Sequence, residues 1–265
     1  MNKITSLLVS PGLLLMPLLT VLAQGPEAPY PSHHGAIVRG DSSRAELALV
    51  FTGDEFAEGG EFITRVLTDQ GIKASFFFTG KFYRNPVFEP LVKALLKGGH
   101  YLGAHSDQHL LYCDWEQRDS LLVTQKEFTR DLLENYQVMQ SIGIRKVDAP
   151  LFIPPYEWYN DSIAQWTLAL GLKLVNITYG TLSHADYTLP GSPGYRSSKE
   201  IYRSILDYEA AASNGLNGFI LLVHIGTAPE RTDKFYVYLE PLIEELRSRS
   251  YSFKRIDELI DLAIQ

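Results

Sequence analysis

Continuously apolar runs recur along this chain at near-regular intervals, separated by amphipathic stretches. Strand-like runs fall at residues 46–52, 73–79, 101–105, 147–152, 173–177, 218–224 and 251–254. Between them, apolar positions recur with helical spacing over 61–70, 87–97, 121–141, 159–170, 199–213 and 235–249, and a last helix is expected at 257–264. Strands alternating with helices of this length predict parallel βαβ units. Several runs are apolar throughout, without period-2 alternation, as strands buried on both faces are. Seven units predict a single α/β domain over 43–265. It is either a (β/α) barrel with fewer than the usual eight repeats or a doubly wound open sheet. In both architectures functional groups gather at the carboxyl ends of the strands. Asp54, His105, His224 and the segment Ile153-Pro154-Pro155-Tyr156 are thereby expected on one rim.

The first 23 residues stand apart. Met1-Asn2-Lys3 is basic, residues 4–22 are mostly apolar, and the run ends Val21-Leu22-Ala23. Ser, Thr and Pro interrupt it, which disfavours a membrane-spanning helix and suits an export signal cleaved after Ala23. Export to the periplasm or medium is therefore expected, with no stable membrane anchor after cleavage. Residues 24–42, rich in Pro, Gly, Ser and His, are expected as an extended leader. The composition is globular, 45% hydrophobic and 21% charged. The net charge of -7 argues against a nucleic-acid partner. The lone cysteine, Cys113, excludes an internal disulfide and a Cys-type zinc site. It is expected to be a buried thiol.

The chemistry concentrates in a few places. His105 and His109 follow the third strand in His-Ser-Asp-Gln-His, and two imidazoles one helical turn apart can face one metal ion. Ser106 is placed to cap that turn. Asp54, after the first strand, would add a hard carboxylate and leave a coordination position open for water. Two imidazoles and a carboxylate suit one divalent ion: Zn²⁺, with Co²⁺ or Ni²⁺ as alternatives. His224 ends the run Phe219-Ile220-Leu221-Leu222-Val223, where a histidine needs a partner. At a rim facing a metal it is a candidate general acid. Strand alternation puts Leu222 on the same side, as a wall for a small apolar pocket. His100, near the start of the third strand, belongs to the opposite rim.

These motifs, in this order, resemble the polysaccharide deacetylases of the NodB-homology type (carbohydrate esterase family 4). The resemblance runs from about Leu47 to the C-terminus. It implies a distorted seven-stranded (β/α) barrel that removes acetyl groups from an acetylated glycan with one bound metal ion. The family's His-[Ser/Thr]-x-x-His matches His105–His109, both as metal ligands with Asp54. Its Leu-x-His matches Leu222-Val223-His224, the leucine lining the acetyl pocket and the histidine acting as acid. Asp186-Tyr187 stands for the family's Asp-Trp element and puts Asp186 in the catalytic set. Tyr156 and Tyr187 are the expected sugar-contacting aromatics, and the backbone N–H of Tyr156 is the implied oxyanion donor.

Two positions depart from the family pattern. Thr-Phe-Asp-Asp becomes Phe51-Thr52-Gly53-Asp54, so Gly53 stands where the general base belongs. Matching the family's phenylalanine to Phe51 shifts the register by one and leaves Asp54 just past the motif. Arg-Pro-Pro-Tyr becomes Ile153-Pro154-Pro155-Tyr156, which removes the arginine that orients the base. Glu55, Asp107, Glu157 and Asp186 remain as carboxylates near the rim. The charged loop 226–234 either contributes to the site or caps the following helix.

Overall fold

The apolar runs form a single curled, parallel sheet. A computed structural model describes residues 30–262. The expected export signal and residues 24–29 of the expected leader lie outside them. In chain order the elements are β1 (Ser32–His33), β2 (Ala36–Ile37), β3 (Glu46–Gly53), α1 (Gly60–Asp69), β4 (Ser75–Phe78), α2 (Gly80–Arg84), α3 (Glu89–Lys97), β5 (Tyr101–Ala104), α4 (Gln125–Ser141), β6 (Leu151–Phe152), α5 (Asp161–Ala169), β7 (Lys173–Leu174), α6 (Ser198–Ala211), β8 (Phe219–His224), α7 (Leu239–Ser248), β9 (Ser252–Lys254) and α8 (Ile256–Leu259). Short 3₁₀ turns lie at Pro155–Glu157, Ser183–Tyr187 and Phe235–Tyr238.

Seven strands share the main sheet in the order β7-β6-β5-β4-β3-β8, with β9 also on β3, and all pairings are parallel. One edge of β3 pairs with β8 over Leu47 to Thr52. The other is divided between β9, opposite Glu46 to Ala48, and β4, opposite Val50 to Gly53. This division distorts the barrel. It is also why β3 is buried along nearly its whole length and carries no polar alternation.

The gap between β7 and β8 is bridged by the segment expected as an extended leader. β1 and β2 form a small antiparallel hairpin. Ile37 then pairs in parallel with Val175, and the Asn176 N–H donates to the Ile37 carbonyl at 2.9 Å. Three residues later the Gly40 N–H donates to the Gly218 carbonyl at 2.7 Å. Within the described residues, then, 30–42 is part of the barrel wall. The turn residues hid a strand too short to show periodicity.

Other boundaries moved for local reasons. α4 starts at Gln125, not near 121, because Thr124 and Glu127 form a reciprocal capping box. α2 was not anticipated; Thr79 caps it through the Phe82 N–H. β6 begins only at Leu151, because 145–149 turn back on themselves. His100 is buried far from the rim. Its Nδ1 accepts the Ala74 N–H at 3.0 Å, and burial lowers its pKa to about 4. Cys113 is a buried free thiol.

Candidate active site

The strand ends converge on a cavity of about 610 Å³ lined by Thr52, Gly53, Asp54, His105, His109, Tyr156, Glu157, Tyr187 and His224. A larger open groove of about 1040 Å³ beside it, against α1 and α3, has no histidine among its lining residues. Chemistry is therefore sought in the smaller cavity.

His105 is buried directly after β5. Its Nδ1 lies 2.9 Å from the Ile153 carbonyl, which can only accept, so Nδ1 carries the proton and the lone pair sits on Nε2. His109 does not lie one turn along a helix, as its spacing predicted. Residues 105–109 form a bent loop in which Ser106 (φ 69°) and His109 (φ 58°) are both left-handed. Ser106 Oγ accepts the His109 N–H at 2.9 Å, the cap expected of it, within a loop. The two rings stand 5.0 Å apart by centroid. Burial drives both toward the neutral form: His105 well below its ordinary value and His109 to about 4. Neutral imidazoles are the form that binds a metal.

Asp54 shares the cavity with this pair. Its oxygens are engaged, however. Oδ1 accepts from Thr79 Oγ1 at 2.8 Å, and Oδ2 pairs with Lys81 Nζ at 3.1 Å. Among the described residues, no group of three or more His, Cys, Asp or Glu side chains is gathered closely enough to hold a metal ion. The two histidines fit one in chemistry and tautomer. The carboxylate has the right identity but is turned to a lysine.

Across the cavity, His224 is paired. Asp186 is buried in the 3₁₀ turn Ser183–Tyr187 and faces it with both oxygens. One accepts from His224 Nδ1 at 2.6 Å and the other from the His224 backbone N–H at 2.9 Å. Burial opposes a charge on His224, but the Asp186 carboxylate outweighs it and raises the pKa. The Tyr187 ring lies 5.0 Å from the His224 ring. Leu222 shares the His224 face two residues earlier but is wholly buried. It packs into the core and is absent from the cavity lining, because the layer above closes over it.

The space beside Gly53, the position expected for the general base, is filled. A Cβ on Gly53 would lie 2.8 Å from Ile225 Cγ2 and 3.0 Å from both Phe78 Cδ1 and Phe82 Cε2. Apolar side chains occupy the space an aspartate would need. Ile153 is fully buried, and its backbone carbonyl orients His105. Thr52 Oγ1 is buried in the same wall without a hydrogen-bond partner. Of the four spare carboxylates, Asp186 is committed to His224. Asp107 is buried and held by Arg84 in two bonds, 2.7 and 2.8 Å. Glu55 is exposed at the mouth. Glu157 lines the cavity.

Among the aromatic candidates, Tyr156 and Tyr187 line the cavity and Tyr159 is core. Trp115, which the sequence reading passed over, is exposed and stands 5.6 Å from the Tyr156 ring. The loop after β8 lines the cavity with Gly226, Thr227 and Ala228, and its later residues anchor neighbouring elements. Asp233 accepts the Ser198 N–H at the start of α6, and the fully buried Arg231 donates to the Thr188 and Arg196 carbonyls. It thereby anchors the segment 188–196 that walls the cavity.

Residues 44–175 match the polysaccharide deacetylase family. The chain carries a polysaccharide deacetylase domain of the carbohydrate esterase family 4 type. It is similar to the peptidoglycan-N-acetylglucosamine deacetylase of Bacillus cereus, 26% identical over 190 residues, 71% of this chain and 75% of that protein. The fold resembles that of a family 4 pseudoenzyme from Bacillus anthracis, BA3943, with TM-score 0.67, 16% identity, and 87% of this chain and 70% of that one covered. It also resembles the Bc1960 peptidoglycan N-acetylglucosamine deacetylase, with TM-score 0.69, 18% identity, and 88% of this chain and 95% of that one covered. Members of this family are generally metal-dependent. At this site the Asp186–His224 pair is assembled, while the space beside Gly53 is closed by packing.

Proposed function

We propose that this protein is an exported, metal-dependent hydrolase that removes N- or O-linked acetyl groups from a polysaccharide or oligosaccharide, using a general base other than the strand-one aspartate. The observation that carries this reading is the Asp186–His224 pair. Placing a buried carboxylate against a histidine costs desolvation, and glycan binding alone gives no return on a histidine paired with a carboxylate at a cavity wall. A leaving amine or alkoxide does need such a proton donor.

His105, His109 and Asp54 are the residues that would hold a divalent ion, zinc by preference of the donor set, once Asp54 is released from Lys81. When bound, such an ion supplies Lewis acidity toward the acetyl carbonyl and the attacking water. The chain's own groups do the rest. Tyr156 and Tyr187 flank the sugar, and the Tyr156 N–H, in the first turn of a short helix with no intrahelical acceptor, donates to the developing oxyanion. His224 gives its proton to the departing atom, and Asp186 keeps that proton available.

The closed base position at Gly53 and the loss of arginine at Ile153 favour a second reading: a catalytically impaired, glycan-binding member of the family. Acetate release from a panel of acetylated oligosaccharides, with Zn²⁺, Co²⁺ or Ni²⁺ added, separates the two. Metal-dependent release that His224→Ala abolishes is expected. No release from any substrate would leave only the binding reading.

A further inference from the structure

The missing base and a misplaced glutamate occur in the same cavity. Glu157 closes the Pro155–Glu157 turn after β6, next to the cavity-lining Tyr156. Tyr156 and Glu157 both have left-handed backbones, with φ of 60° and 52°. That region is costly for any residue but glycine, so a glutamate is held there against local preference. Its backbone is fixed at both ends. The Glu157 N–H donates to the Pro154 carbonyl at 3.1 Å, and its carbonyl accepts from Asn176 Nδ2 at 2.9 Å. Among the described residues no group donates a hydrogen bond to the carboxylate, unlike those of Asp54, Asp107 and Asp186.

We propose that Glu157 is the general base of this deacetylase site, replacing the aspartate that Gly53 cannot be. The assignment rests on the deacetylase reading. A water at the cavity gives one proton to the Glu157 carboxylate as its oxygen bonds to the acetyl carbon, and the carbonyl π pair moves onto oxygen. Re-formation of that carbonyl breaks the bond to the sugar nitrogen or oxygen, which takes the His224 proton. The products are acetic acid and the free amine or alcohol. Glu157 then returns its proton through solvent to His224, and both groups are reset.

The surroundings suit the role. Burial raises the Glu157 pKa to about 7, with His224 pulling it down and Asp186 pushing it up. Tyr187 and Tyr179 are the other titratable groups that sense its charge. A base works best when its pKa is near the working pH.

The test compares wild type, Glu157→Gln and Glu157→Ala on a substrate from which the wild type releases acetate. Glu157→Gln should lower kcat by about 10²–10⁴-fold with little change in KM, and should remove the acidic limb of the kcat–pH profile. Added formate should partly restore turnover to Glu157→Ala, which a purely structural role would not allow. Unchanged folding by circular dichroism and urea midpoint is the control. A Glu157→Gln enzyme with wild-type kcat and pH profile, or one changed only in KM, overturns the assignment of Glu157 while leaving the deacetylase reading intact. A wild type that releases no acetate overturns the deacetylase reading, and the role of Glu157 falls with it.

Discussion

His105 and His224 each stand at the end of an apolar strand at the same cavity, yet their surroundings push their pKa values in opposite directions. His105 donates one ring proton to a backbone carbonyl and meets no carboxylate, so burial leaves it neutral. His224 is also penalised by burial, but Asp186 reaches it with both oxygens and raises its pKa. One residue type thus gives a metal-ready lone pair on one wall and a proton donor on the other. What decides between them is a single carboxylate from a loop 38 residues away in sequence.

The largest effect should come from removing that carboxylate. Asp186→Asn should reduce acetate release by about 10²-fold or more. With His224 as the proposed acid, activity should fall as pH rises through its pKa. Without Asp186 that pKa drops, and the basic limb of the kcat profile should move to lower pH. Stability carries the same sign. A histidine whose folded pKa is raised stabilises the fold fully below its unfolded value of about 6.5, and that contribution is lost as pH rises through the folded pKa. The wild type's advantage in urea midpoint over Asp186→Asn should therefore shrink with rising pH. An unmoved basic limb would mean that His224 is not the acid.

A smaller effect is expected at the base position. Gly53→Asp places a carboxylate against Ile225, Phe78 and Phe82. It should cost about 1–3 kcal/mol by overpacking alone, read as a lower urea midpoint, and should not raise kcat. A stable, faster Gly53→Asp enzyme would show that the packing yields easily and that the site lacks only the usual base.

The smallest effect belongs to Lys81. Its pair with Asp54 is partly exposed, so Lys81→Met should change stability by no more than about 1 kcal/mol. Zn²⁺ affinity measured by calorimetry should rise by about two- to fivefold, the equivalent of less than about 1 kcal/mol. An unchanged affinity would mean that Asp54 leaves Lys81 without cost.

Much of this was legible in the chain. The seven main-sheet strands were visible because a strand buried on both faces must be apolar throughout, and the long helices because one face must be. His105, His109, Asp54 and His224 stood out because polar groups at the ends of apolar runs need a reason. Other features left no local trace. The hairpin at Ser32–Ile37 is too short for periodicity, and its value lies in bridging β7 and β8. The left-handed turns at Ser106 and His109 broke the helical spacing that the motif suggested. Leu222 obeyed strand alternation, yet depth in the core removed it from the cavity surface.

The sequence by itself determined the order of strands and helices, the family and the histidines that line the cavity. Those properties are written in local pattern and residue identity. Only the tertiary structure decided which carboxylate serves which partner: Asp186 for His224, Asp107 for Arg84, Asp54 for Thr79 and Lys81, and Glu157 for none among the described residues. The physical reason is that a carboxylate's role depends on its distance to charges and its access to water. Both are set by elements that meet only when the barrel has folded.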